Sequence, residues 1–268
     1  MFDIEEIKNS IICGDCLDVM KDIPDNSIDL TVTSPPYDDL RTYKNRVDLT
    51  WNEDVWKPII KELYRVTAKG GVVVWIVGDA TIKGSETGTS FKQSLYFKEI
   101  GFNLHDTMIW EKTGQGAVGS NYCYWQNFEY MFVFSKGRLK TFNPICDREN
   151  KIIGKQSTSG GRDKHGISKN KRQIVARPLG RRFNNWRINQ ETKQKHPAPF
   201  PEKLVNDHVI SWSNKSDTIL DPFSGSGTTA VACKKLNRNF IGIELSPEYC
   251  KIAEERLKKC FHSKLKTI

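Results

Sequence analysis

The run DTILDPFSGSGTTAVACKKLNRNFIGIELS, residues 217–246, leaves the chain few ways to fold. An apolar segment ends at Asp221, and a turn follows with glycines at 225 and 227. A helix-length stretch comes next, then a second β-branched segment that ends at Glu244. Strand, glycine turn, helix and strand in this order belong to a largely parallel sheet covered by helices on both faces. The same alternation runs through the rest of the chain. SIDLTVTS (27–34) and GVVVWIVGD (71–79) read as buried strands, and WKPIIKELYRVT (56–67) carries apolar residues at helical spacing. TSFKQSLYFKEIGF (89–102) reads as an amphipathic helix with Thr89 or Ser90 as its N-cap. LHDTMIWEK and FEYMFVFSKG read as two more strands. EKLVNDHVISWS and PEYCKIAEERLKKCF read as helices on either side of the glycine unit. The expected class is α/β.

No apolar run approaches the ~20 residues of a membrane span, and Met1–Ser10 lacks the basic-then-apolar shape of a signal peptide. Seven scattered cysteines point to reduced thiols in a cytoplasmic protein. Cys13 and Cys16 form a CxxC with no second pair or nearby histidines, so no metal is expected. The net charge of +9 is localised. Arg138–Lys195 holds 16 Lys+Arg against 4 Asp+Glu, whereas the remainder holds 25 basic and 28 acidic residues. That stretch is also rich in Gly, Ser, Asn and Gln. It reads either as a solvated insertion or as a surface that meets phosphates.

In the glycine turn, Gly225 and Gly227 permit close approach of a ligand to backbone, and the following helix presents free N–H groups. It is not a P-loop, because no lysine follows the second glycine. Glu244 lies about 20 residues on, where doubly wound folds put the acid that grips ribose hydroxyls. Asp221 beside the turn would repel a pyrophosphate and attract an ammonium or sulfonium.

The strand at residues 27–34 breaks into Ser34-Pro35-Pro36-Tyr37. Two prolines remove two backbone donors and fix the turn. The sequence of this turn alone leaves open whether it only stops the strand or holds a polar group and a ring ready for a substrate.

Taken together, TSPPY, the LYRVTAKGGVVVWIVGD segment, HPAPFPEKLVNDHVISWS (196–213) and the glycine unit resemble the amino-group DNA methyltransferases of the β arrangement, in that order. The resemblance implies a Rossmann-like S-adenosyl-L-methionine-dependent methyltransferase fold, circularly permuted, with an inserted target-recognition region. Residues 1–137 would be the catalytic half, 138–195 the recognition region and 196–268 the cofactor half. It implies Ser34, Pro35, Pro36 and Tyr37 as catalytic residues: Ser34 Oγ and the Pro35 carbonyl accept from the target amine, and Tyr37 stacks on a flipped base. It implies Asp221, Phe223, Gly225, Gly227 and Thr228 around the methionine side of S-adenosyl-L-methionine, Glu244 on the ribose, Asp15 near adenine and Lys203 beside the methionine pocket. Arg41 and Lys44, in a loop after the motif, and Arg172, Arg177, Arg181 and Arg182, in the basic stretch, are the expected contacts to double-stranded DNA. In the family, Ser at the first motif position is associated with cytosine N4 and Asp with adenine N6, so N4 is expected, with N6 as the alternative. Methylation of RNA or of a protein amide, and a non-catalytic DNA-binding module, are the remoter readings. A partner restriction endonuclease and the choice between monomer and homodimer stay open.

Overall fold

The computed structural model describes residues 2–36, 51–113, 123–154, 156–159, 172–190 and 201–264. They form two compact units, one of residues 1–143 with 184–268 and one of residues 144–183.

The larger unit is built on an eight-stranded sheet. In chain order its strands are β1 (Ser10–Cys13), β2 (Ile28–Thr33), β3 (Thr67–Val77), β4 (Asn103–Thr113), β5 (Phe128–Ser135), β6 (Asn185–Asn189), β7 (Thr218–Asp221) and β8 (Asn239–Glu244). In space they lie in the order β1-β8-β7-β2-β3-β5-β4-β6. The first five are parallel; β5 runs antiparallel to both β3 and β4, and β6 is parallel to β4. Among the described residues the helices of this unit are α1 (Ile4–Ile7), α2 (Cys16–Asp22), α3 (Glu53–Val66), α4 (Thr89–Glu99), α5 (Glu202–Trp212), α6 (Thr228–Lys235) and α7 (Pro247–Lys264). None of them is long and apolar enough to cross a membrane.

The period-2 pattern of β3 explains the layering. Val73, Trp75 and Val77 join one apolar cluster with α2, α3 and α4, while Val72, Val74 and Ile76 join the other with α5 and α6. A strand apolar on both faces must be central, and β2, with only Asp29 less than fully buried, is its neighbour. α3 starts where the Asn52 side chain accepts from the Asp54 and Val55 amides, and it buries Trp56, Ile59, Ile60, Leu63 and Val66.

Two local expectations change. The N-cap of α4 is Gly88, left-handed at φ 64, which has no side chain of its own to cap the helix. The role expected of Thr89 or Ser90 falls to Asp79, whose carboxylate accepts from the Ser90 amide at 2.8 Å and from the Ser90 hydroxyl. The buried face of α4 consists of Ser90, Gln93, Ser94, Tyr96 and Phe97, and it leaves Phe91 and Leu95 exposed. Gln93 accepts from the Trp75 indole, so a polar residue takes the inner position that simple periodicity gives to an apolar one.

The larger unit holds both points at which its chain is interrupted. The Asn143 amide donates to the Ser211 carbonyl at 2.8 Å, and its side chain donates to the carbonyls of Ile210 and Ser213. Asn184 accepts from the Ile109 amide, and its side chain donates to Asp106.

The smaller unit pairs Arg148–Glu149 with Leu179–Gly180 and Gln156–Ser159 with Arg172–Val175, both antiparallel. Bonds from Arg182 to Ile145, Asn150 to Pro178 and Gly154 to Ala176 continue the pairing. Its described part is one two-stranded ribbon.

Candidate active site

Strands β7 and β2 are neighbours, yet the chain leaves β7 toward β8 on one side and β2 toward β3 on the other. Such a switch point opens a crevice at the carboxyl ends of the strands. β7 ends in Asp221 and β2 in Thr33, immediately before Ser34. Across the crevice floor the Thr33 hydroxyl donates to Asp221 Oδ1 at 2.7 Å, with both residues buried. The Phe223 amide donates to the same oxygen at 3.2 Å. Burial pushes the Asp221 carboxyl up to about 6; the hydroxyls of Thr229 and Thr33 oppose this, and the negative charge of Glu244 adds to it.

The glycine turn spans the end of β7 and the start of α6. Gly225 and Gly227 hold φ of 51 and 78, conformations that other residues rarely adopt. A Cβ on Gly227 would lie 2.7 Å from the Ala253 Cβ, so this glycine serves the packing of α7 as well as the turn. Arg256 of α7 supports the turn from behind, donating to the Ser226 carbonyl at 2.7 Å and to the Thr228 hydroxyl at 3.2 Å. Glu244, at the end of β8, accepts from the Gly225 amide with Oε2 and from the Ser246 amide with Oε1, each at 2.8 Å. A carboxylate offers about four acceptor positions, which leaves capacity for two ribose hydroxyls.

At the next strand end, Gly14 donates to the Glu244 carbonyl at 3.0 Å, and Asp15 caps α2 by accepting from the Leu17 amide at 2.8 Å. The structure therefore brings Asp15, Glu244, Asp221, Phe223, Gly225 and Ser34 to one edge of the sheet. Pro35 is buried, and Ser34 and Pro36 are half-buried. Thr228 is buried with its hydroxyl turned to Arg256. Lys203 lies on α5, 61% exposed and ion-paired with Asp207 at 2.8 Å. Tyr37, Arg41 and Lys44 lie outside the described residues, as does the side chain of Arg172. Arg177 and Arg181 are exposed on the ribbon, and Arg182 is ion-paired with Asp147.

Sequence reasoning did not single out Thr33, Thr229, Arg256 or Trp51. Trp51 is only 5% exposed and meets the Phe223 ring edge-on at 5.6 Å. Its indole N–H has no partner among the described residues, which is costly for a buried donor. Trp75 of β3 also approaches Phe223, at 6.3 Å, so the Phe223 ring borders the β3 side of the crevice.

Buried acid, glycine turn and ribose-type acid on a doubly wound sheet define a nucleoside-cofactor enzyme of the methyltransferase type. A family model described as a DNA methylase, of the N6/N4 type, matches residues 28–255, and the chain belongs to this family. It is 53% identical over 249 residues to the orphan methyltransferase M.BamHII of Bacillus amyloliquefaciens, with 89% of this chain and 91% of that protein covered. It is 31% identical over 262 residues to the Type II methyltransferase M.BglII of Bacillus subtilis, covering 93% of this chain and 69% of that one. Among solved structures, the cytosine-N4-specific PvuII DNA methyltransferase superposes with a TM-score of 0.68 at 21% identity, covering 92% of this chain and 85% of that one. The M1.HpyAVI–SAM complex superposes with a TM-score of 0.63 at 24% identity, over 92% and 98%. These two likenesses bear on the fold: the α/β architecture expected from the sequence is the observed one.

Proposed function

We propose that this chain methylates the exocyclic N4 of cytosine at a specific site in duplex DNA, with S-adenosyl-L-methionine as methyl donor. The observation that carries the reading is the Thr33–Asp221 bond, because it ties the Ser-Pro-Pro turn to the acid of the glycine loop. Asp221 is a buried carboxylate suited to the positive charge of the donor, and Glu244 keeps acceptor capacity for its ribose. The Trp51 N–H, without a partner among the described residues, is a donor for an oxygen of the bound molecule. The residues thus fit the cofactor, which supplies an electrophilic methyl group.

An exocyclic amine is a poor nucleophile because its lone pair is delocalised into the ring. In this reading Ser34 Oγ and the Pro35 carbonyl accept its two hydrogens, which draws the nitrogen toward tetrahedral geometry and aims it at the methyl. Pro35 and Pro36 hold those acceptors rigid, so no reorganisation is needed at the moment of reaction. The base reaches them only when flipped out of the duplex, with Tyr37 stacked on it. An in-line displacement would form the N–C bond as the donor's C–S bond breaks and leaves a neutral thioether, and the methylated nitrogen would release its proton to solvent. Residues 1–137 and 196–268 act as the two halves of the catalytic domain. The basic 138–195 stretch reads the DNA, with Arg172, Arg177, Arg181 and Arg182 among its contacts, and Arg41 and Lys44 meet phosphate beside the motif.

Cytosine N4 is favoured over adenine N6 by Ser34, the residue that accompanies N4 chemistry in this family. The test is mass spectrometry of nucleosides from DNA of a host that expresses the chain, with the Ser34→Ala variant as control. N4-methylcytosine that falls by roughly 10²-fold or more in the variant supports the reading. N6-methyladenine without N4-methylcytosine transfers it to the adenine enzyme, and no methylated base at all refutes it.

A further inference from the structure

Two cysteines far apart in sequence meet beside Glu244. Cys13 is the last residue of β1, in a register with β8 that sets it opposite Glu244. Its thiol is exposed and directed at the Leu245 carbonyl, 4.0 Å away. Cys250, in the first turn of α7, is buried, and its thiol donates to the Glu244 carbonyl at 3.4 Å. The two sulfurs are seated on adjacent carbonyls, and they also interact with each other directly. Burial, followed by the neighbouring Cys13, pushes the Cys250 thiol up to about 12. Cys250 therefore keeps its proton, and the first encounter with a reagent from solvent falls to Cys13. Neither thiol has a part in the methyl transfer. Both stand where the cofactor residues can feel them, because α7 also backs the glycine turn: Ala253 packs against Gly227, and Arg256 donates to Ser226 and Thr228.

We infer that Cys13 and Cys250 are a modification site, a dithiol that a peroxide converts into a reversible disulfide which loosens the hold on S-adenosyl-L-methionine. The inference rests on the cofactor reading given above. In the first step the Cys13 sulfur attacks the peroxide. An S–O bond forms as the O–O bond breaks, and the departing hydroxide leaves as water with the Cys13 proton. In the second step the Cys250 sulfur attacks the Cys13 sulfur. The S–S bond forms as the S–O bond breaks, and the hydroxide leaves as water with the Cys250 proton. The two thiols are oxidised by two electrons, and hydrogen peroxide is reduced to water. A disulfide holds its sulfurs about 2 Å apart, so the bond draws the first turn of α7 toward the end of β1. The Glu244 carbonyl loses its thiol donor, and the helix behind the glycine turn shifts with Cys250. Cys16, the other cysteine of the CxxC, belongs to the apolar cluster of Met20 and Ile23.

The test treats the reduced full-length chain with hydrogen peroxide, maps its peptides by mass without reduction, and titrates S-adenosyl-L-methionine by calorimetry. The expected result is a linked pair of peptides carrying Cys13 and Cys250. The linked protein should bind S-adenosyl-L-methionine about tenfold more weakly, and dithiothreitol should restore both the thiols and the affinity. Cys13→Ser and Cys250→Ser should each bind like the reduced wild type and keep that affinity through the peroxide treatment. Coupling between two sites is reciprocal, so in glutathione redox buffers saturating S-adenosyl-L-methionine should shift the equilibrium about tenfold toward the dithiol. A cross-link without bearing on the cofactor would not respond in this way. Linkage of Cys13 to Cys16, oxidation of Cys13 to a sulfinic acid with no linkage, or a linked protein of unchanged affinity overturns the inference. A reduced wild-type protein that fails to bind S-adenosyl-L-methionine would instead refute the cofactor reading, and the peptide map would still report on the thiol pair, so the two failures are separable.

Discussion

The hydroxyl of Thr33 donates 2.7 Å across the switch point to the buried carboxylate of Asp221. One residue after this hydroxyl the chain enters Ser34-Pro35-Pro36, and two residues after the carboxylate it reaches Phe223. The bond therefore joins the strand that leads into the Ser-Pro-Pro turn to the strand that leads into the glycine turn. Thr33→Val keeps the shape and removes the donor, so the ionised form of Asp221 loses a stabilising partner. The pH at which S-adenosyl-L-methionine affinity rises should then move upward, whereas Thr33→Ser should keep the wild-type profile. Isothermal titration from pH 5 to 8 measures this. Identical profiles for the Val and wild-type proteins would show the bond to be inert.

Asp221 itself is predicted to destabilise the unliganded protein. Its folded value of about 6 lies above its ordinary value of 3.8, so between these limits the native state holds the proton more tightly than the unfolded chain. Stability from this group falls as pH rises through that window, and the loss is complete above about pH 6. The difference between these two values corresponds to ~3 kcal/mol. Asp221→Asn should therefore raise the melting temperature at pH 7.5 and gain little near pH 4, while binding of S-adenosyl-L-methionine is largely lost. Thermal melts at the two pH values, with and without cofactor, check both halves.

For Trp51 the indole N–H beside Phe223, without a partner among the described residues, gives a sharp expectation. Trp51→Phe keeps a ring in place and removes an unpaired buried donor, so the unliganded protein should melt at the same temperature or slightly higher. If the donor serves the bound cofactor, S-adenosyl-L-methionine affinity should fall about tenfold. An unchanged dissociation constant with a lowered melting temperature would make Trp51 a packing residue only.

Gly227→Ala combines a left-handed backbone with a Cβ placed 2.7 Å from Ala253. Strain and overpacking together should cost about 2–4 kcal/mol, read as a reduced urea midpoint. Gly84→Ala provides the comparison. Its φ of 81 imposes the same backbone strain, but nothing lies within 4 Å of its added Cβ. The loss there should be the smaller of the two.

The sheet was legible because β-branched runs such as Val72–Val74 and helical spacing in Trp56–Val66 carry their periods openly. Asp221, Gly225 and Glu244 were legible because a glycine turn between two strands restricts what can stand at the strand ends. The strand at Asn185–Asn189 was not. Only Trp186 and Ile188 of its five residues are buried, and it lies in a basic stretch whose composition reads as solvated. Thr33 escaped notice because a threonine in a β-branched run looks like strand propensity, and its bond spans 188 residues of sequence. Trp51, Thr229 and Arg256 act through contacts that no local spacing encodes. The inner face of α4 misled for a related reason: Gln93 is buried as a partner for Trp75, and a polar residue with a specific task breaks the apolar period.

The seams at Asn143 and Asn184 have a consequence for how such a protein can change. Each asparagine is fastened within the larger unit by its own backbone and side chain, to the end of α5 on one side and to β4 on the other. The forty residues between them are not needed to complete those bonds. A lineage could therefore replace the ribbon wholesale while leaving the sheet of the larger unit as it is. The two asparagines would be the splice points of that exchange.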